Sequence, residues 1–178
     1  NRILAGRIGA DLASDLTVSN LALINQQLDA LMIETGYSVD ARHLTIAGAG
    51  RSGLHVYANA TGLLRNSILS HNALAVWAEG SAQANLDTNL ADANTTFKNG
   101  PGTVLSTINA SAAFEPDGYH IQTTSQAAGA GLPGLCTVDI DGDARPGPTG
   151  SRPDIGADEV ETGAFRLFLP FLIHESGR

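Results

Sequence analysis

Leu54-His55-Val56-Tyr57, Leu74-Ala75-Val76-Trp77 and Asn94-Thr95-Thr96-Phe97 recur at a constant offset of 20 residues, each strand-like and followed by polar residues and glycine. A period in the twenties with apolar residues at fixed places predicts a coiled β-solenoid. Upstream, an offset of 23 superimposes Leu21 on Leu44, Leu23 on Ile46, Leu31 on Leu54 and Ile33 on Val56. An offset of 22 then carries Ile46 onto Ile68, with the difference absorbed in a turn. The opening residues, Asn1 to Gly6, read like Asn66 to His71, so the chain is expected to begin inside a rung.

Each rung offers short apolar runs separated by Asn, Gly, Ser or Gln, residues that tolerate the left-handed backbone of a tight corner. Alternation along the strands predicts inward ladders of Leu54 over Leu74 and Val56 over Val76, with Tyr57, Trp77 and Phe97 facing outward on successive rungs. Rungs about 4.8 Å apart bury their apolar faces only by stacking. The competing pattern is a helix over Ile24 to Thr35, where Leu28, Leu31 and Met32 share a helical face. The match with the next rung predicts a corner there instead.

Composition fits one all-β domain. The 178 residues are 43% hydrophobic and only 16% charged, with 20 glycines, which suits many tight corners better than amphipathic helices. Mean hydropathy of +0.01 argues against disorder. A net charge of −8, with one lysine (Lys98) and scattered arginines, disfavours nucleic acid as a partner. Cys136 stands alone, so it forms no intramolecular disulfide and no cysteine metal site, and it reads as a small buried residue.

From Asp139 to Glu161 the chain changes character. This stretch carries seven acids against Arg145 and Arg152, together with Pro146, Pro148 and Pro153. It predicts irregular backbone held by side-chain hydrogen bonds. The Asp139-x-Asp141-x-Asp143 spacing invites Ca²⁺, since hard cations collect carboxylate oxygens at loop spacing. An EF-hand loop, however, needs Gly sixth and Glu twelfth, and here Gly142 falls fourth and Gly150 twelfth. An Asp-Gly turn whose carboxylates cap backbone N–H groups, with Arg145 pairing one of them, explains the same residues without metal.

The aromatic positions Tyr57, Trp77 and Phe97 are the candidate ligand platform, because stacked rings hold sugars well. The alternative is that Val104 to Phe114 or the tail covers them. Catalysis finds less support. By offsets of 23 and then 20, Asp29 continues as Ser52, Asn72 and Asp92, so its two carboxylates are too far apart for paired acid chemistry. The column through Asn59, Glu79 and Asn99 has one acid. None of the five histidines shows metal-binding spacing, and each reads as a surface or corner residue. The sequons at Asn59, Asn94 and Asn109 are assigned no role.

Phe114-Glu115-Pro116-Asp117-Gly118-Tyr119-His120-Ile121, Ser125 to Gly131, Asp139-Ile140-Asp141-Gly142-Asp143-Ala144-Arg145-Pro146 and Asp154-Ile155-Gly156-Ala157-Asp158-Glu159 follow one another in a distinctive order. This stretch resembles the C-terminal choice-of-anchor Q module of bacterial surface β-helix proteins. Gln126 and Gly129 stand where that family usually has Pro and Asp. The resemblance implies an exported or cell-surface protein whose module closes a right-handed parallel β-helix of the pectate lyase-like kind. The expected division is rungs over 1–103, a cap over 104–161 and a strand or anchoring tail over 162–178. Phe165 to Ile173 is similar to the LP-containing tails of some such proteins, and nine residues interrupted by Arg166 and Pro170 are too few to cross a bilayer, which takes about 20. Three functions remain open: a structural or adhesive wall facing an extracellular partner, a glycan-binding module, and a polysaccharide lyase or glycoside hydrolase whose catalytic rungs lie upstream.

Overall fold

The structure is a computed structural model, and it describes residues 1–160. Those residues form thirteen strands and no helix. They are β1 (Arg2–Leu4), β2 (Ala10–Leu12), β3 (Leu16–Ile24), β4 (Leu31–Ile33), β5 (Ser38–Ala47), β6 (Ser52–Val56), β7 (Thr61–Arg65), β8 (Ile68–Ser70), β9 (Leu74–Ala78), β10 (Gln83–Asp87), β11 (Asn89–Asp92), β12 (Thr96–Asn99) and β13 (Thr107–Asn109). All thirteen pair in parallel, in a β-solenoid of about five turns. The competing helix over Ile24 to Thr35 is absent; as the match with the next rung predicted, β4 and its flanking corners occupy that stretch.

Three walls run along the coil. The first halves of β3 and β5 stack with β7 and β10, and a bridge from Leu86 to Val104 continues this wall. The second wall holds β1, the second halves of β3 and β5, then β8, β11 and β13. The third runs β2, β4, β6, β9 and β12. Single residues turn the corner between the first two walls: Asn20, His43, Asn66 and Thr88, at φ of 52°, 51°, 48° and 53°. Asparagine occupies that left-handed region cheaply because its side chain bonds locally. A second column of Ala5, Asn25, Gly48, His71 and Ala93 turns between the second and third walls. At Gly48, with φ of 72°, a Cβ would fall 2.4 Å from Asn25 Oδ1, so a side chain there would strain the backbone and displace the asparagine amide.

The 23-residue register agrees with the sequence reading at all four pairs, including Leu23 with Ile46 and Leu31 with Leu54. Downstream the register is different from the one expected. Leu54 lies on Val76 and Val56 on Ala78, an offset of 22, and Leu74 lies on Thr96. The same offset joins Thr61 to Gln83 and Ile68 to Leu90. A step of 20 in one wall would have to delete two residues from a rung whose other walls keep 22. The slip is even, so each residue keeps its face, and the apolar pattern alone does not expose it. The slip at Ile46 is odd and has the opposite effect. Ile46 pairs with Leu69, and Thr45 with Ile68. Ile68 therefore points out of the coil. The opening rung is likewise one residue out, since Ile3 shares a column with Leu23 and, through Ile46, with Leu69.

The interior is aliphatic, with Leu23, Leu31, Ile33, Leu44, Ile46, Leu54, Leu64, Leu69 and Leu86 almost wholly enclosed. Buried polar ladders take over where the chain bends. Asn72 Oδ1 accepts the Ala49 N–H at 2.9 Å, while its Nδ2 donates to the Ile46 carbonyl at 3.2 Å and to Asn94 Oδ1 at 2.9 Å. Asn72→Ala is expected to cost about 1–3 kcal/mol, because it orphans the buried Ala49 N–H; chemical denaturation measures it.

Residues 112–160 lie along the side of the coil, over the outer face of the second wall. Ile68 and Leu90 pack against Ala112, Ile121, Ala127 and Ile155, and further along Ala22, Ile24 and Ala47 pack against Tyr119. Gly156 sits so close that a Cβ would meet Ile68 Cδ1 at 2.7 Å. The expected module boundary at 104 falls within the coil, where Val104 and β13 still pair. The expected tail over 162–178, Phe165 to Ile173 included, lies outside the described residues.

Candidate functional site

On the outer face of the third wall, Met32, His55, Trp77 and Asn99 share one column, and Tyr57 stands two residues along from His55. Rings in register at strand spacing stack. His55 lies 4.1 Å from Trp77, centroid to centroid, with planes 8° apart, and 4.1 Å from Tyr57 at 26°. The imidazole side chain is 2% exposed. Each of its nitrogens faces a carboxylate: Nδ1 lies 3.4 Å from Asp29 Oδ2 and Nε2 lies 3.0 Å from Glu79 Oε1.

Asp29 is fully buried at the start of β4's rung. It accepts Arg51 Nε at 2.9 Å, and it also takes hydrogen bonds from Arg51 Nη2 and Ser52 Oγ. Burial pushes its carboxyl upward, but the hydrogen bonds from His55, Arg51 and Ser52 and the Arg51 charge outweigh this, holding it well below the ordinary carboxylate range. Arg51 also reaches over Trp77, 5.8 Å from the ring centroid. Glu79 and Arg51, at 32% and 44% side-chain exposure, are the charged rim of the patch.

The platform read from sequence is thus partly assembled. Tyr57 and Trp77 flank His55, but Phe97 packs against the core in the last turn. It lines a cavity of about 330 Å³ with Ala91, Asp92, Asn94 and Asn109. The Asp29 column continues to Ser52 as expected, then to Leu74 and Thr96 rather than Asn72 and Asp92. Asn59 meets Ser81, not Glu79. His43 and His55 are buried, against the expectation of surface residues, although His43 does form a corner. A 22-residue period would have brought Trp77 beneath His55 and Glu79 beneath Tyr57. That signal lay in the sequence.

In the cap, Asp139, Asp141 and Asp143 diverge. Asp139 Oδ1 accepts the N–H groups of Asp141, Gly142 and Asp143 at 2.9, 2.9 and 2.8 Å, and its Oδ2 accepts Glu159 N–H at 3.1 Å. Asp141 instead faces His120 Nε2 at 2.7 Å, and Asp143 is exposed. The turn with backbone capping is the arrangement found. Arg145 does not pair with any of these three. It donates to the carbonyls of Asp154 and Ala157, both at 2.9 Å, and to His43 Nδ1, with Glu159 at 3.4 Å. Because arginine only donates, His43 Nδ1 must accept and the ring is neutral. Burial, and then the Arg145 charge, push His43 down to about 3. Cys136 is free and half-buried.

No known protein family, curated protein or solved structure matches the chain.

Proposed function

We propose that this chain is a structural and adhesive segment of an exported bacterial surface protein, a rigid β-solenoid whose third wall, left open by the described residues, binds extracellular polysaccharide. The observation that supports it most is the patch of Tyr57, His55 and Trp77 rimmed by Arg51 and Glu79, on the wall opposite in role to the one the cap covers. Aromatic faces take the apolar side of a sugar ring, and adjacent charged groups take its hydroxyls. The DGDARP and DIGADE segments support export through their resemblance alone.

A binding role accounts for the cluster better than glycoside cleavage. A glycosidase needs two accessible carboxyl groups about 5–9.5 Å apart, one of them protonated as the acid. Asp29 is enclosed and held in its ionised form by three donors, and the patch's other acids among the described residues, Glu34 and Glu79, stand two rungs apart with Tyr57 between them. The polysaccharide lyase or hydrolase reading therefore rests on residues beyond this patch.

Affinity electrophoresis through gels containing neutral and acidic polysaccharides tests the proposal. At least one glycan is expected to retard the chain, and Trp77→Ala is expected to weaken retention about 10-fold or more, the loss of one stacking ring worth about 1.4 kcal/mol or more. Equal mobility in every gel, or undiminished retention of a folded Trp77→Ala variant, would overturn it.

A further inference from the structure

We propose that the cap holds a divalent transition-metal ion, zinc above the others, between His120, Asp141 and Asp158. The ligand atoms of these three side chains lie within 4.8 Å of one another. They come from three separate segments of the cap.

His120 is prepared as a ligand. Its Nδ1 faces Asp117 Oδ2, and Asp117 Oδ1 accepts the N–H groups of Tyr119 and His120, both at 3.2 Å. A carboxylate bonded to one imidazole nitrogen fixes the ring and directs the other nitrogen outward, the arrangement that accompanies most metal-bound histidines. The nitrogen so directed points at Asp141 Oδ2, 2.7 Å away.

Asp158 is the buried member of the set, and its charge has only backbone partners besides His120. It is 6% exposed, and one of its oxygens accepts the Ile121 N–H at 2.8 Å. The carboxylate also takes a backbone hydrogen bond from Glu159, and no side-chain N–H or O–H donates to it among the described residues. No lysine or arginine pairs with Asp117, Asp141 or Asp158 among those residues either. Three carboxylates therefore surround one imidazole, and even a protonated ring leaves two negative charges uncompensated, one of them on a buried group. A divalent ion removes that excess.

The donor set selects the metal. Calcium takes six to eight oxygens, whereas one imidazole nitrogen with two carboxylates suits zinc and its neighbours. Three protein ligands leave a fourth position for water. His120 and Asp141, at 30% and 43% side-chain exposure, open the site to solvent for entry.

Calorimetric titration of the chelator-stripped full chain with zinc chloride is the test. One zinc per chain is expected, with a melting temperature that rises with zinc concentration. His120→Asn should abolish binding. Asp117→Asn should weaken it about 10- to 100-fold, as expected for the loss of an orienting partner. Asp141→Asn changes an exposed side chain that bonds to His120, so it should fold normally and lose zinc. Absence of stoichiometric zinc binding, or zinc binding that persists unchanged in both His120→Asn and Asp141→Asn, would overturn the proposal. Calcium binding as tight as zinc would overturn the assignment of the metal.

Discussion

Arg145→Met is expected to remove about 3–5 kcal/mol of stability and to release the cap from the coil. The guanidinium side chain is fully enclosed and bridges the two bodies, donating outward to His43 and inward to the carbonyls of Asp154 and Ala157. Methionine fills similar volume but donates nothing. It would strand two carbonyls, one imidazole nitrogen and the buried Glu159 carboxylate, which also accepts Gly147 and Asp154 N–H groups at 2.8 Å. Chemical denaturation would read the loss, and limited proteolysis would show cleavage within 112–160. A variant as stable and as protease-resistant as the parent would mean that Ile155 and Ile121 against Ile68 hold the cap by apolar contact alone.

Acid is expected to leave the parent protein nearly unaffected down to about pH 4 and to reverse its effect in His43→Asn. His43 protonates near 6.5 when unfolded but only at about 3 when folded, so stability falls with pH through that window. From pH 6.5 to 3.8 the loss is about 4 kcal/mol. Asp154 has the opposite sign. Burial, opposed by its bonds from the Gly129 and Val160 N–H groups, pushes its carboxyl up to about 6, so the folded state takes its proton first. Stability gains about 3 kcal/mol as pH falls from 6 to 3.8. Below pH 4 the gains are spent, and the parent weakens as Asp29, whose carboxyl is depressed, is finally protonated in the folded state. Asparagine fits the left-handed corner, as Asn20 and Asn66 do in the same column. It also removes the imidazole, which exposes the Asp154 contribution. His43→Asn should therefore be about 3 kcal/mol more stable at pH 4 than at pH 7, relative to the parent's near-level profile, as melting curves across that range would show.

The solenoid was legible because stacking imposes a period, and the 23-residue match of Leu21, Leu23, Leu31 and Ile33 with the next rung reports it directly. The patch was not, for a physical reason. An even slip in register preserves which side chains face inward, so Leu54 over Leu74 looks as sound as Leu54 over Val76. The same slip moves every outward neighbour by two positions, enough to part His55 from Trp77 and Glu79 from Tyr57. Cores tolerate such an ambiguity; sites built across rungs do not. In the cap, Asp spacing drew attention to carboxylates as metal ligands, whereas irregular backbone has its own N–H groups to satisfy, and Asp139 is consumed by four of them.

A coil of repeated turns ordinarily frays from its ends, because each turn leans only on its neighbours. Here one lateral strap grips turns that are far apart. Tyr119 accepts Arg2 Nη1 at 2.5 Å and packs on Ala22, while Ile155 and Ala112 hold Ile68 and Leu90. Peeling away the first turn therefore strips the strap as well. The spring becomes a clasped bundle that should melt as one unit rather than unwind loop by loop.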